Sequence, residues 1–310
     1  MSIFVCTRDD RLLRLEREGR DSSAVTLLEG VGVQCVAAAG SRVVAGTRGG
    51  VMVSVDASTS WERIALSEPD VLSVAIGVAD DALYAGTEPS RLFVSREEGP
   101  WTELEALQEI PSRPSWSFPP RPWTHHVRWI APDPHRAERL LVGIELGGLM
   151  LSEDAGAGFS DHRPGAKRDT HSLAWHPREA DRAYQAAGDG AAWSRDGGLT
   201  WEAADTGREL RYCWALAVDP GDPDLWYVSA ASGPGAAHGG QSAKGRLYRW
   251  NGSWEALALP GDSMPYALAV SDGELIVGTA DGRVLASADS GESWGDLGVR
   301  VGSVLAMAAG

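Results

Sequence analysis

Cysteine is nearly absent: Cys6, Cys35 and Cys213 are the three in 310 residues, scattered with no C-x-x-C spacing. So sparse and odd a set excludes a disulfide framework and a cysteine zinc site, and it fits a reducing compartment. Basic residues are also short, with 28 Lys and Arg against 43 Asp and Glu and a formal net charge of −15. That balance excludes tight non-specific nucleic-acid binding, which needs cations to displace phosphate counterions, and it disfavours an anionic membrane surface. No run approaches the roughly 20 apolar residues of a membrane helix. Met1 to Asp10 shows neither a basic n-region nor a long apolar stretch, so no signal peptide is read there. No nucleic acid and no membrane are expected as partners, and a cytoplasmic protein is the expectation. Phenylalanine and tyrosine are few, 4 and 6, yet tryptophan numbers 13. Trp61, Trp101, Trp201, Trp254 and Trp294 stand at or near the positions of one repeated motif.

The clearest copy is Ser194-Arg195-Asp196-Gly197-Gly198-Leu199-Thr200-Trp201, of form S-x-D-x-G-x-T-W, and Ser287 to Trp294 repeats it. Looser copies run from Ser54 to Trp61, with Asp56 kept and Ser58 for glycine, and from Ser152 to Phe159, with Asp154 and Gly156 kept. Ser95 to Trp101 is one residue short and carries Glu97 for the aspartate. In such a turn the carboxylate accepts backbone N–H bonds and glycine tolerates positive φ, while the tryptophan packs its ring between neighbouring sheets. The motif resembles the Asp-box of the BNR-repeat β-propellers, a family that includes sialidases, xyloglucanases, sortilin-type receptors and photosystem assembly factors. It is a folding device and implies a fold before a function.

Each copy closes a unit of apolar strand, turn, second strand and third strand. Units occupy 33–66, 70–104, 123–163, 170–204, 212–257 and 265–297; the fifth has an Asn251-Gly252 hairpin in place of the box. Ser303 to Met307 reads as a first strand without partners. Ile3 to Thr7, Leu12 to Leu15 and Val25 to Leu28 read as second, third and fourth strands without a first. Joined, they complete a seventh blade and remove an exposed sheet edge. The expected fold is therefore all-β, a seven-bladed β-propeller with Asp-box turns. It is one propeller over residues 1–310, its last blade built from 299–310 plus 1–28.

In such a ring the boxes lie on one face and the functional connections on the other. Two insertions fall on the latter: 106–122, with five prolines, Trp116 and Phe118, and 231–245, with His238 and Lys244. Insertions on one face of a rigid scaffold are where sites are usually built. Aligned first strands put Gln34, Leu72, Arg128, His171, Trp214, Tyr266 and Ser303 at one depth. Nearer the mouth come His126, Asp169, Tyr212 and Met264, beside His125, Arg168 and Arg211. Second-strand ends add Arg48, Glu88 and Glu145, and a neighbouring loop adds Asp189. Polar groups thus gather on the third to sixth blades. His126, His171, Tyr212 and Glu145 are the candidate catalytic residues, a histidine as base and Tyr212 or Glu145 as acid. Arg128 and Arg211 would hold an anionic group. Trp214, Tyr266, His125, Asp169, Gln34, Arg48, Asp189 and His238 are further candidate ligand contacts. His176 reads as a turn residue on the box face. No H-x-H or H-E-x-x-H spacing supports a metal, so neither a metal nor a cofactor is expected.

Sialidases share an early Arg-Ile-Pro element and three arginines that clamp a carboxylate; here the first arginines, Arg8 and Arg11, lack Ile-Pro. Xyloglucanase-like enzymes face two propellers across a cleft, which one propeller of this length does not form. Assembly factors are single seven-bladed rings with arginine-rich patches, and this chain is acidic. The leading expectation is a small-molecule or carbohydrate-active enzyme of hydrolase or lyase type, working by general acid–base chemistry in the central funnel. The alternative is a non-catalytic scaffold that binds a protein partner; a sugar- or metabolite-binding module is a third reading. An enzyme would gather its His, Tyr and acid groups in one pocket. A scaffold would expose an apolar rim around Trp116, Phe118 and Trp123.

Overall fold

Burial follows radial position in each sheet. The second strands are buried almost throughout, as in Arg42–Thr47 and Leu140–Ile144, because a neighbouring sheet covers both of their faces. Outermost strands such as Glu62–Ile64 and Glu202–Ala203 are short and largely exposed. The computed structural model describes residues 2–18, 21–118, 124–239 and 244–310. Its seven antiparallel sheets form the ring of a seven-bladed β-propeller. The first six blades lie at 33–64, 70–103, 127–160, 170–203, 212–257 and 265–300. The third differs from the four-strand expectation: it has three strands, with a lone bridge between Leu151 and Ser160 where a fourth would run.

The seventh sheet runs Val304–Ala309, Ser2–Thr7, Arg11–Glu18, Asp21–Glu29. Ile3 pairs with Ala309 and Cys6 with Ala306, so the two ends of the described chain close the ring. Among the described residues no helix is long and apolar enough to cross a bilayer.

The repeated turns hold as their chemistry requires. Asp196 accepts the Thr200 amide at 2.9 Å and the Ser194 hydroxyl at 2.8 Å, while Ser194 Oγ takes the Gly198 amide. The same bonds recur at Ser54/Asp56, Ser152/Asp154 and Ser287/Asp289. In the short copy Ser95 Oγ instead donates to the Gly99 carbonyl. Trp201 and Trp254 are buried between sheets, whereas Trp61, Trp101 and Trp294 are half-buried. Glycine in the second strands has a separate cause. A Cβ on Gly46 would lie 2.9 Å from the Val71 carbonyl, and one on Gly278 2.8 Å from Val304, because the next blade's first strand presses there.

One irregularity recurs in every innermost strand. Its pairing with the second strand skips Gln34, Leu72, Arg128, His171, Tyr266 and Leu305 singly, and Trp214 together with Ala215. A bulge leaves its extra residue unpaired and re-aims its side chain, and all of these residues line the central channel. The strand alignment placed Ser303 in the seventh position. The bulge falls at Leu305 instead: Ser303 stands two residues before it, accepting the Arg8 amide as Gly32 accepts the Arg48 amide two residues before Gln34.

Candidate functional site

Glu145 follows directly on the second strand of the third blade and is only 4% exposed. A carboxylate so buried needs partners. Its Oε2 meets His126 Nε2 at 2.7 Å and Arg128 Nε at 3.4 Å, and its Oε1 faces His171 Nε2 at 3.7 Å. Burial opposes ionisation here, yet the two histidine contacts and the Arg128 charge outweigh it, and the carboxyl is held well below the usual carboxylate range. Arg128 occupies the bulge of its strand, which turns its guanidinium inward to lie 5.2 Å above the Trp214 ring.

His171 is the fourth blade's bulge residue and is fully buried. Its Nδ1 lies 2.6 Å from the Cys213 carbonyl, which only accepts, so Nδ1 carries the hydrogen. Nε2 has no hydrogen-bond partner among the described residues. The ring is flanked by Tyr212 at 4.8 Å and Trp214 at 5.0 Å. Asp169, two residues earlier, brings Oδ1 to 3.7 Å from His171 Nε2. Burial pushes the Asp169 carboxyl up, and the Glu145 and Asp189 charges add to that against the pull of His171. Burial likewise drives the Tyr212 phenol far above its ordinary value, helped by Asp169 and Glu145.

Both insertions reach this cluster. Short 3-10 turns at Glu105–Glu109 and Arg113–Ser115 lead to Trp116, buried with Leu107, Ile110 and Ile144. Trp116 meets the His125 ring edge-on at 5.5 Å, and Phe118 meets His126 at 5.1 Å. From the other side the helix Pro234–Ala237 accepts the Tyr266 hydroxyl at Ala237 O, and His238 stands 5.3 Å from Trp214. Pro119, Pro120, Pro122 and Trp123, with residues 240–243, lie outside the described residues.

The structure brings His126, His171, Tyr212, Glu145, Asp169, Arg128, Trp214 and Tyr266 together. Gln34 lines the same channel from the first blade, donating to Asp70 at 2.5 Å. Asp189 is exposed at the rim yet near enough to act on Asp169. Arg48 and Arg211 are exposed, and among the described residues neither makes a hydrogen bond or ion pair with the cluster. Sequence reasoning missed Arg8, whose guanidinium lies 4.9 Å over the Tyr266 ring. The signal was available: Arg8 follows Thr7 as Arg48 follows Thr47 and Glu88 follows Thr87.

No protein-family model matches this sequence, and no curated protein matches it. Solved structures match in fold. The GH74 xyloglucanase from Xanthomonas campestris superposes with a TM-score of 0.68 at 17% identity, over 98% of this chain and 52% of that one. YCF48 bound to a D1 peptide gives 0.61 at 15%, over 87% and 84% of the two chains. An ancestral GH74 enzyme gives 0.63 at 17%, over 85% of this chain and 36% of its own. This chain spans 36% and 52% of the lengths of the two GH74 enzymes. The likeness is one of fold.

Proposed function

We propose that this propeller is an enzyme of hydrolase or lyase type acting on a sugar or other small polar ligand in the channel mouth. The observation that carries the reading is the pair Glu145 and Asp169, whose carboxyls are driven in opposite directions on either side of His171. Titratable neighbours pushed apart in this way mark a base and an acid. Ionised Glu145 takes a proton from water or from a ligand carbon. The electron pair so freed forms the new bond as a C–O bond breaks, and the departing oxygen takes the Asp169 proton. The acid's part was expected of Tyr212 or Glu145. A phenol held far above neutrality and a carboxyl held ionised suit it less than Asp169 does. Trp214 and Tyr266 line the channel with aromatic surface, each ring carrying an arginine over it, and Arg128 offers a charge for an anionic substituent.

The protein-binding alternative keeps one observation in its favour, a fold shared with YCF48, a peptide-binding protein, over 84% of that chain. The apolar rim it calls for is not exposed at Trp116 and Phe118, both of which are buried. The test is a panel of glycans and small polar metabolites, scored for binding and turnover. Asp169→Asn is expected to cut turnover by about 100-fold or more with the melting temperature unchanged. Full turnover by that variant would overturn Asp169 as the acid, and a channel that accepts peptides and turns over no small ligand would overturn the enzyme reading.

A further inference from the structure

We infer that Glu145, Asp169 and His171 form a divalent-cation site at the mouth of the channel. One oxygen from each carboxylate and His171 Nε2 all lie within 4.8 Å of one another, with Nε2 3.7 Å from Glu145 Oε1 and from Asp169 Oδ1. Two sides of 3.7 Å and a third no longer than 4.8 Å leave a point about 2.4 Å from all three atoms. Small side-chain shifts bring that to the roughly 2.0–2.2 Å of zinc bonded to nitrogen and oxygen.

Three further features fit a cation better than a closed ion-pair network. At 3.7 Å His171 Nε2 is too far from either carboxylate to hydrogen-bond, and a fully buried ring nitrogen without a partner is uncommon. The Nδ1–H···O=C bond to Cys213 fixes the tautomer that presents the Nε2 lone pair to the carboxylates, the arrangement usual for a metal-ligating histidine. The other Glu145 oxygen is held by His126 and Arg128, which aims Oε1 at His171. Two carboxylates balance a divalent charge. The imidazole favours zinc over magnesium or calcium, and the two carboxylates also suit manganese. No compact motif announces the set because Glu145 comes from the third blade and Asp169 and His171 from the fourth.

Cation binding stands on this geometry alone. Its meaning for catalysis rests on the enzyme reading: a bound cation leaves Asp169 without a proton. It would replace that proton as the group stabilising the departing oxygen, which then takes its proton from water, and turnover becomes sensitive to chelators. The test uses the full chain stripped with EDTA and titrated calorimetrically with Zn²⁺ and Mn²⁺, with Ca²⁺ for comparison. Co²⁺ absorption reports the coordination. One equivalent is expected, with affinity weaker by at least about 10- to 100-fold in Asp169→Asn and in Glu145→Gln, the loss that removing a mere ligand-orienting partner already causes, and unchanged in His135→Ala. Asp169 is only half-buried, so its amide variant is the one to rely on should Glu145→Gln unfold. Wild-type protein that binds no stoichiometric cation, or both amide variants binding as wild type does, would overturn the site. Turnover in EDTA by a protein that binds no zinc would remove the site and leave the enzyme reading standing. One bound zinc with no turnover of any ligand would support the site and count against that reading.

Discussion

Deleting residues 301–310 tests the closure of the ring. The cut removes the innermost strand of the seventh blade and its pairs from Ile3–Ala309 to Thr7–Val304, along with the Arg8 amide bond to Ser303. Each lost backbone bond is worth about 1 kcal/mol net, so the ladder contributes on the order of 5 kcal/mol. Val301 and Val304, at 1% and 0% exposure, add about 2 kcal/mol each for burial. Together these approach the whole stability of a typical domain, about 5–15 kcal/mol. The cut also bares the ladder edge of Ser2–Thr7, whose Phe4, Val5 and Cys6 are buried in the closed ring. An apolar edge of that kind pairs with other chains. Aggregation, or a large fall in melting temperature, is therefore expected in solubility and thermal-unfolding measurements. A soluble, monomeric truncation with the melting temperature of the full chain would refute the closure and the energetics together.

The sequence carried the blade count because most blades repeat the same solutions to the same local problem, five of them the box turn and four of them a second-strand glycine. The turns need a serine and an aspartate at fixed spacing, and the second strands need glycine where the next blade presses. The depth of the channel residues was legible for the same reason, since every first strand bulges at an equivalent position. Leu305 escaped because a bulge shifts register without changing composition. The missing fourth strand of the third blade escaped too: Phe159 and its neighbours keep the motif's outline, and only the single Leu151–Ser160 bridge records the loss. The grouping of Glu145 with His171 could be expected from adjacent blades, but the standing of Asp169 could not. Its raised carboxyl depends on burial and on the distances to Glu145 and Asp189, quantities that spacing along the chain does not encode.

Two further outcomes are expected from the turns. Trp201 is 5% exposed, packs with Leu141, Leu149 and Trp175, and donates its indole N–H to Gly198 O at 3.1 Å. Trp201→Ala should cost about 3–5 kcal/mol in denaturant unfolding, and a loss below about 1 kcal/mol would show that the ring is not part of the core. The second outcome concerns acid. Hydrogen bonds from Ser60 and Ser54 lower the Asp56 carboxyl to about 2, and those from Ser293 and Ser287 do the same for Asp289. Because the folded values lie below the unfolded value of about 3.9, the stability they confer is complete above about pH 4. It is lost as pH falls through about 2, when protonation removes the acceptors of the turn. Melting temperature followed against pH should therefore steepen its decline between about pH 4 and pH 2. In the double variant Asp56→Asn, Asp289→Asn the decline in that window should be shallower, since an amide has no proton to gain there. An identical decline in the variant would mean that acid unfolding is governed by carboxylates elsewhere in the ring, and that these turns do not couple to it.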